Sequence, residues 1–144
     1  MKVGKITIVL LLVFMITSCA KQNATPSDVL NEQIDTTAGM LVYSGMFSNG
    51  PYGSVSGDAG LYLDNGKYIL YFDDIKSSNG PDLHVYLSEE EIPVHFIDLG
   101  KLKSTNGNQS YVVPVGTDFA KFRYALIHCQ QYNHLFGSAL LEMP

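Results

Sequence analysis

The sequence has no tryptophan, and its 144 residues include only two cysteines, Cys19 and Cys129. Basic residues are also scarce, since nine Lys and Arg stand against fourteen Asp and Glu, for a formal net charge of −5. Such an acidic chain lacks the positive footprint that nucleic acids require, so we expect no nucleic-acid partner. Two cysteines cannot build the framework of several disulfides that holds many small secreted domains together.

The motifs of common enzymes are missing as well. The sequence contains no Gly-x-Ser-x-Gly elbow, no phosphate-binding loop and no His-Glu-x-x-His helix, and no carboxylate pair can be assigned to glycoside hydrolysis. The acidic runs Asp73-Asp74 and Glu89-Glu90-Glu91 lack the alternating ligands of a calcium loop, so we interpret them as solvated turns. Whether the protein is an enzyme stays open, but nothing in the sequence indicates a hydrolase or transferase.

The amino terminus has the pattern of a secretory signal. Two lysines precede an apolar run over residues 6–16, which is too short to span a membrane comfortably, and we assign residues 1–18 to a signal peptide. Ile16-Thr17-Ser18-Cys19 resembles the lipobox of bacterial lipoproteins, which implies a lipidated Cys19 and a membrane anchor. The alternative is an ordinary signal peptide followed by a chance cysteine.

Residues 19–38 are polar and show no hydrophobic period, which is typical of a flexible tether between lipid and domain. A short helix over residues 27–34, capped by Ser27, is the alternative for part of this stretch. The resulting location is the bacterial cell envelope on the extracytoplasmic side, periplasmic or at the surface. Ala20, in place of an aspartate after the lipidated cysteine, favours the outer membrane if the cell is Gram-negative.

From residue 39 to residue 144 the sequence predicts one all-β domain, a β-sandwich or barrel-like fold of about eight mostly antiparallel strands. Alternating apolar residues are separated by turn residues, and no long helical pattern follows Met40. Asn65-Gly66 supplies the positive backbone angles of a tight hairpin. The predicted strands are Met40 to Phe47, Ser54 to Leu63, Lys67 to Phe72, Asp82 to Leu87, His95 to Leu99, Gln109 to Val115, Arg123 to Cys129 and His134 to Leu141.

Cys129 is the one cysteine left for the folded domain if Cys19 carries lipid, so we expect a free thiol. In a strand, Ala125 and Ile127 share its face, which favours burial as a small hydrophobic residue. The polar turn that starts at Gln130 favours instead a position at the edge of the core, where a partner or cofactor could reach the sulfur. A redox role for Cys129 depends on which of these two environments the fold provides.

Four histidines, His84, His95, His128 and His134, could join Cys129 as ligands of zinc, copper or haem iron, but their spacing matches no established metal motif. His128 should leave the opposite face of its strand from Cys129. His134 could reach the thiol across the hairpin, and His84 could do so only from an adjacent strand. We therefore predict no metal site, treat His134 and His84 as candidate cofactor ligands, and leave the cofactor unknown, with haem or copper as the options.

Two stretches, Asn79-Gly-Pro-Asp-Leu-His-Val-Tyr-Leu-Ser88 and Cys129-Gln-Gln-Tyr-Asn-His-Leu-Phe-Gly-Ser-Ala139, resemble the DM-13 domain family. The resemblance runs from about Met40 to Leu141. It implies a β-rich extracellular domain, often found beside DOMON domains, with an electron-transfer or redox role centred on its single cysteine, here Cys129. The residue before that cysteine is usually tryptophan in such domains and is His128 in this chain.

The leading hypothesis is a lipid-anchored cell-envelope domain in which Cys129 serves electron transfer, directly or through a redox or envelope protein partner. The alternative is a non-catalytic binding module whose exposed tyrosines, such as Tyr43, Tyr52 and Tyr86, hold a protein or glycan. An inert spacer or structural protein of the envelope is a third reading.

Overall fold

The computed structural model describes residues 24–35 and 37–144, so the predicted signal peptide and Cys19 lie outside the described residues. Within these ranges the chain is all-β, which confirms the predicted fold class. Ten strands occur in the described residues rather than the predicted eight, because two additional strands of two residues each, near residue 30 and residue 48, were not predicted. The strands are β1 (Leu30–Asn31), β2 (Met40–Met46), β3 (Ser48–Asn49), β4 (Val55–Asp64), β5 (Lys67–Ser77), β6 (Leu83–Ser88), β7 (Phe96–Lys101), β8 (Asn106–Val113), β9 (Tyr124–Cys129) and β10 (His134–Leu140).

The first sheet has the strand order β1-β8-β5-β4-β2 and is antiparallel except for the β1–β8 pair. Its longest strands, β4 and β5, form the hairpin predicted from Asn65-Gly66, and Asp64 pairs with Lys67 at its tip. Asn65 and Gly66 have φ angles of 47° and 76°, the left-handed values that a two-residue hairpin turn requires. No helix in the described ranges is long and apolar enough to cross a membrane.

The second sheet has the order β3-β10-β9-β6-β7 and is antiparallel throughout. In each sheet, strand alternation sends every second side chain towards the other sheet, and these side chains fill the space between the sheets. The most deeply buried of them include Leu61, Leu70, Phe72, Val85, Leu87 and Ile127, each with no exposed surface. The core therefore lies between the two sheets, as in other β-sandwiches.

The segment that we predicted as a tether is, in its described part, packed against the domain. β1 pairs in parallel with β8, Ser104 Oγ donates a hydrogen bond of 2.6 Å to the Asp28 carbonyl, and Lys103 Nζ lies 2.8 Å from a Glu32 carboxylate oxygen. The alternative of a helix over residues 27–34 is wrong. Backbone pairing and polar side-chain contacts hold this segment, and neither leaves a hydrophobic period in the sequence.

Candidate functional site

Cys129 is the last residue of β9 and lies between two neighbouring strands. Its register partners are Leu83 on β6 and His134 on β10. The thiol is free and only 1% exposed, and it belongs to the cluster of core side chains between the sheets. Its Sγ donates a hydrogen bond of 2.8 Å to the Pro81 carbonyl oxygen. The buried environment is thus the one that the fold provides, and the expectation of an accessible sulfur at the edge of the core is wrong.

His128 points away from Cys129, to the outer face of the second sheet. Its register partners there are His84 and Leu135. The side chain is 4% exposed, its ring stacks on Tyr86 at 5.1 Å, and its Nδ1 has no hydrogen-bond partner among the described residues. Burial, and after it the nearby His134, lowers the pKa of His128 below its usual range. A neutral imidazole on the outer face is the consequence.

His84 shares the outer face with His128 and is held between two carboxylates. Its Nδ1 lies 3.0 Å from both carboxylate oxygens of Asp98, and its Nε2 lies 3.3 Å from Asp82. Gln130 Nε2 also donates to Asp98, at 2.8 Å. Because His84 and Cys129 leave opposite faces of adjacent strands, the fold does not bring this candidate ligand to the thiol.

His134 is the one candidate ligand on the same side of the sheet as Cys129, because directly paired residues project to the same face. Its ring stacks on Tyr52 with centroids 3.7 Å apart and an angle of 1° between the planes. The ring of Tyr132 is also near, with its centroid 5.8 Å from that of His134. Tyr52 and Tyr132 are 58% and 57% exposed, so aromatic rings extend from the register partner of Cys129 to the surface.

The residues around Cys129 do not fit a haem or copper centre. Such metals need several soft donors, whereas the thiol contacts a backbone carbonyl and apolar side chains. In the described part of the chain, the side chains close enough to share a metal ion are Glu89, Glu90 and His95. Two of these three donors are carboxylates, which do not favour haem iron or copper. Glu90 Oε1 lies 2.7 Å from His95 Nδ1, and this contact raises the pKa of His95 and lowers that of Glu90. An ion pair within an exposed loop accounts for that cluster.

The structure also contains a groove that sequence reasoning missed, on the outer face of the first sheet. It has a volume of about 310 Å³, and its walls include Tyr62, Tyr71, Asp58 and Asp73. The two aspartates are directly paired across β4 and β5. Each lies next to a shift in strand register, between Ser56 and Asp58 in β4 and between Phe72 and Ile75 in β5. Neither carboxylate forms a hydrogen bond or ion pair within residues 24–35 and 37–144. The Asn65-Gly66 hairpin was a signal for this pairing, because the register with Asp64 opposite Lys67 also places Asp58 opposite Asp73.

The three tyrosines proposed as binding residues differ in exposure. Tyr52 is exposed, as the binding-module hypothesis requires. Tyr86 is only 3% exposed because Phe96 and His128 stack against its ring, and Tyr43 packs partly buried against the core. The expectation that Tyr86 is a surface residue is therefore wrong, since an outward direction in a strand does not guarantee contact with solvent.

These features define a small all-β sandwich with one buried free thiol among its described residues. A family model described as "Electron transfer DM13" matches residues 46–141, from the last residue of β2 to the residue after β10, and the chain belongs to this family. The match includes all five strands of the second sheet and strands β4, β5 and β8 of the first sheet. No curated protein and no solved structure matches the chain.

Proposed function

We propose that this protein transfers electrons in the bacterial cell envelope and that the Cys129 thiol is its redox group. The observation that carries the proposal is a free thiol in a domain of an electron-transfer family. Oxidation of the thiol would release one electron to a one-electron acceptor, such as a haem or copper centre in a partner protein. It would also release one proton, which the thiol directs at the Pro81 carbonyl in its resting hydrogen bond and which would pass to solvent water at this end of the sandwich.

The burial of Cys129 favours electron transfer through packed protein over thiol chemistry with a partner. A mixed disulfide requires a sulfur that another thiol can reach, and this sulfur is 1% exposed. Electrons can tunnel across several ångströms without such contact. On the strand beside Cys129, the His134 ring stacks on the exposed Tyr52 ring, and these two rings are the route to solvent that the proposal assigns to the electron.

Protein-film voltammetry of the full lipidated chain, with Cys129→Ser as the test variant, examines this role. We expect a redox wave in the wild type that is lost in Cys129→Ser and kept in Ser88→Ala, a control at a fully buried position of the adjacent strand. An equal wave in Cys129→Ser would refute the proposal. A thiol that alkylating reagents reach only after unfolding is expected from its burial and would exclude thiol exchange.

The second part of the proposal is the anchor. Cys19 carries the lipid and holds the domain at the membrane, in the outer membrane if the cell is Gram-negative; the lipobox-like residues before it support this. Cys19→Ser should leave the precursor uncleaved or release the domain from membranes. Unchanged membrane association, together with a free Cys19 thiol by mass spectrometry, would contradict it.

A second candidate function, a glycan-binding module, is favoured by the groove on the first sheet. Tyrosine rings stack against sugar rings, and unpaired carboxylates accept hydrogen bonds from sugar hydroxyls. Tyr62 and Tyr71 meet edge to face at 6.3 Å, next to the paired Asp58 and Asp73. Calorimetry with envelope oligosaccharides should then show binding that Asp73→Asn weakens and that Asp74→Asn, the adjacent exposed control, leaves unchanged. No heat of binding with any oligosaccharide would remove this candidate.

A further inference from the structure

We propose that the end of the sandwich that carries Cys129 lies against the surface of the lipid bilayer. The inference rests on the lipidation of Cys19 proposed above and adds to it the orientation of the domain. Three observations carry it, namely where the described chain begins, how firmly that beginning is attached, and which side chains surround it.

The reach between anchor and domain is short. Ala24, the first described residue, forms an antiparallel bridge with Pro81 at one end of the sandwich. It follows Cys19 by five residues, which span at most about 18 Å even when fully extended. β5 runs for eleven residues along the domain, a length of about 36 Å. The anchor can therefore lie near the Pro81 end of the sandwich but cannot reach past the opposite end.

The attachment of this segment continues beyond the bridge. Thr25 is buried, and its carbonyl accepts a hydrogen bond of 2.8 Å from Asn79 Nδ2. The Thr105 amide donates to the Pro26 carbonyl at 2.8 Å. The connections β5–β6 and β7–β8 therefore hold the first described residues in place on the domain. The short reach from the anchor then limits the position of the whole folded domain relative to the membrane.

Cys129 is at this same end. The Pro81 carbonyl that accepts its thiol hydrogen bond belongs to the residue that bridges Ala24. The next residue, Asp82, accepts a backbone hydrogen bond of 3.1 Å from Gln130, which places the β9–β10 turn here as well. An electron partner that approaches Cys129 by the shortest route would then come from the membrane side.

The exposed aromatic side chains at this end suit a bilayer surface. Tyr52 and Tyr132 flank the ring of His134 and are more than half exposed. Tyrosine is enriched at membrane interfaces because its ring is apolar and its hydroxyl remains hydrated among the headgroups. The opposite end carries the Asn65-Gly66 turn and Val115, which is 95% exposed and lies two residues after the partner of Tyr68 in β8.

The absence of tryptophan makes the orientation measurable, because each introduced tryptophan is the single reporter in its variant. The probes are Tyr52→Trp and Tyr132→Trp at the Cys129 end and Val115→Trp at the opposite end. The full lipidated chain would be reconstituted into vesicles of phosphatidylcholine and phosphatidylglycerol with brominated acyl chains. We expect fluorescence quenching about twofold or more stronger for Tyr52→Trp and Tyr132→Trp than for Val115→Trp, as positions near the interface require.

Equal quenching at the three positions, in protein whose Cys19 carries acyl chains by mass spectrometry, would overturn the orientation and leave the anchor intact. Missing acyl chains would overturn the anchor and the orientation together. A flexible Gly-Ser insertion of about 20 residues between Ala20 and Lys21 lengthens the reach beyond the domain. It should reduce the quenching of Tyr52→Trp to the level of Val115→Trp while vesicle association persists, and unchanged quenching would refute the role of the short reach.

Discussion

The two faces of the second sheet are built from the same strands and are buried to a similar extent, yet their chemistry differs. The inner face presents Leu87, Ile127 and Cys129 to the first sheet, and the thiol donates a hydrogen bond to the Pro81 carbonyl. The outer face presents His84, which contacts the Asp98 carboxylate, and His128, which stacks on the Tyr86 ring. Burial therefore does not define a site by itself, because what covers a face decides whether its groups can titrate or move.

The coverings of the two faces explain this difference. The inner face is sealed by a complete sheet, while the outer face is covered in part by the connection between β6 and β7. Ser138 Oγ donates a hydrogen bond of 2.8 Å to Glu91 in that connection, and Phe96 stacks on Tyr86 at 4.2 Å. A loop opens at lower free-energy cost than a sheet separates. We expect substitutions on the inner face to be more destabilising than matched substitutions on the outer face.

The largest effect should come from paired leucine truncations. Leu87 on the inner face and Leu126 on the outer face are both fully buried. Leucine-to-alanine changes cost about 2–5 kcal/mol, and we expect Leu87→Ala near the upper limit and Leu126→Ala near the lower one. The reason is that the small outer cluster can relax around the lost side chain. Urea unfolding measures both, and equal losses would show that the loop covers its face as rigidly as the sheet does.

Removal of the thiol should have the next largest effect. Cys129→Ala leaves the Pro81 carbonyl without its hydrogen bond, which should cost about 1–3 kcal/mol. Cys129→Ser retains a hydroxyl donor at the same position and should lose less. The thermal unfolding midpoints of the two variants test this order, and a Ser variant less stable than the Ala variant would show that the hydrogen bond contributes nothing.

The outer face should make stability depend on pH through His128. Burial lowers the folded pKa of His128, whereas the unfolded value is near the ordinary value of about 6.5. The unfolded state then binds more protons, so stability should fall as the pH drops below about 6.5 and level off below the folded pKa. His128→Phe should reduce this loss, as measured by urea unfolding between acidic and neutral pH.

His95 provides a control of opposite sign for that measurement. Its contact with Glu90 raises its pKa, so its contribution is present below the unfolded value and is lost as the pH rises through the folded pKa. His95→Gln should therefore weaken the protein slightly at acidic pH and not at alkaline pH. An acid limb that is unchanged in His128→Phe would contradict the assignment of the acid loss of stability to His128.

The smallest effect should be at the exposed stack beside the inner face. Tyr52→Ala removes its contact with the His134 ring, and aromatic pairs contribute about 0.5–1.5 kcal/mol beyond burial. Tyr132→Ala, whose ring is farther from His134, should cost less. Thermal unfolding of both variants would show the difference. A loss at Tyr52 as large as that at Leu126 would mean that this stack belongs to the core.

The sequence was informative wherever the determining interactions are local. The hairpin at Asn65-Gly66 follows from two residues that adopt positive φ angles, and the opposite directions of His128 and Cys129 follow from strand alternation alone. The same local pattern carried the family resemblance and the fold class. It could not assign the strands beside β9, so it left open whether His84 or His134 approaches the thiol.

The all-β fold, the hairpin turn and the faces on which Cys129 and His128 lie follow from the sequence, because each depends on neighbouring residues. The burial of the thiol, the covering of Tyr86 and the packing of residues 24–35 on the domain became visible in the folded structure alone. Those outcomes depend on contacts between distant parts of the chain. The edge pairing of residues 24–35 uses backbone and polar hydrogen bonds, which impose no hydrophobic period on the sequence.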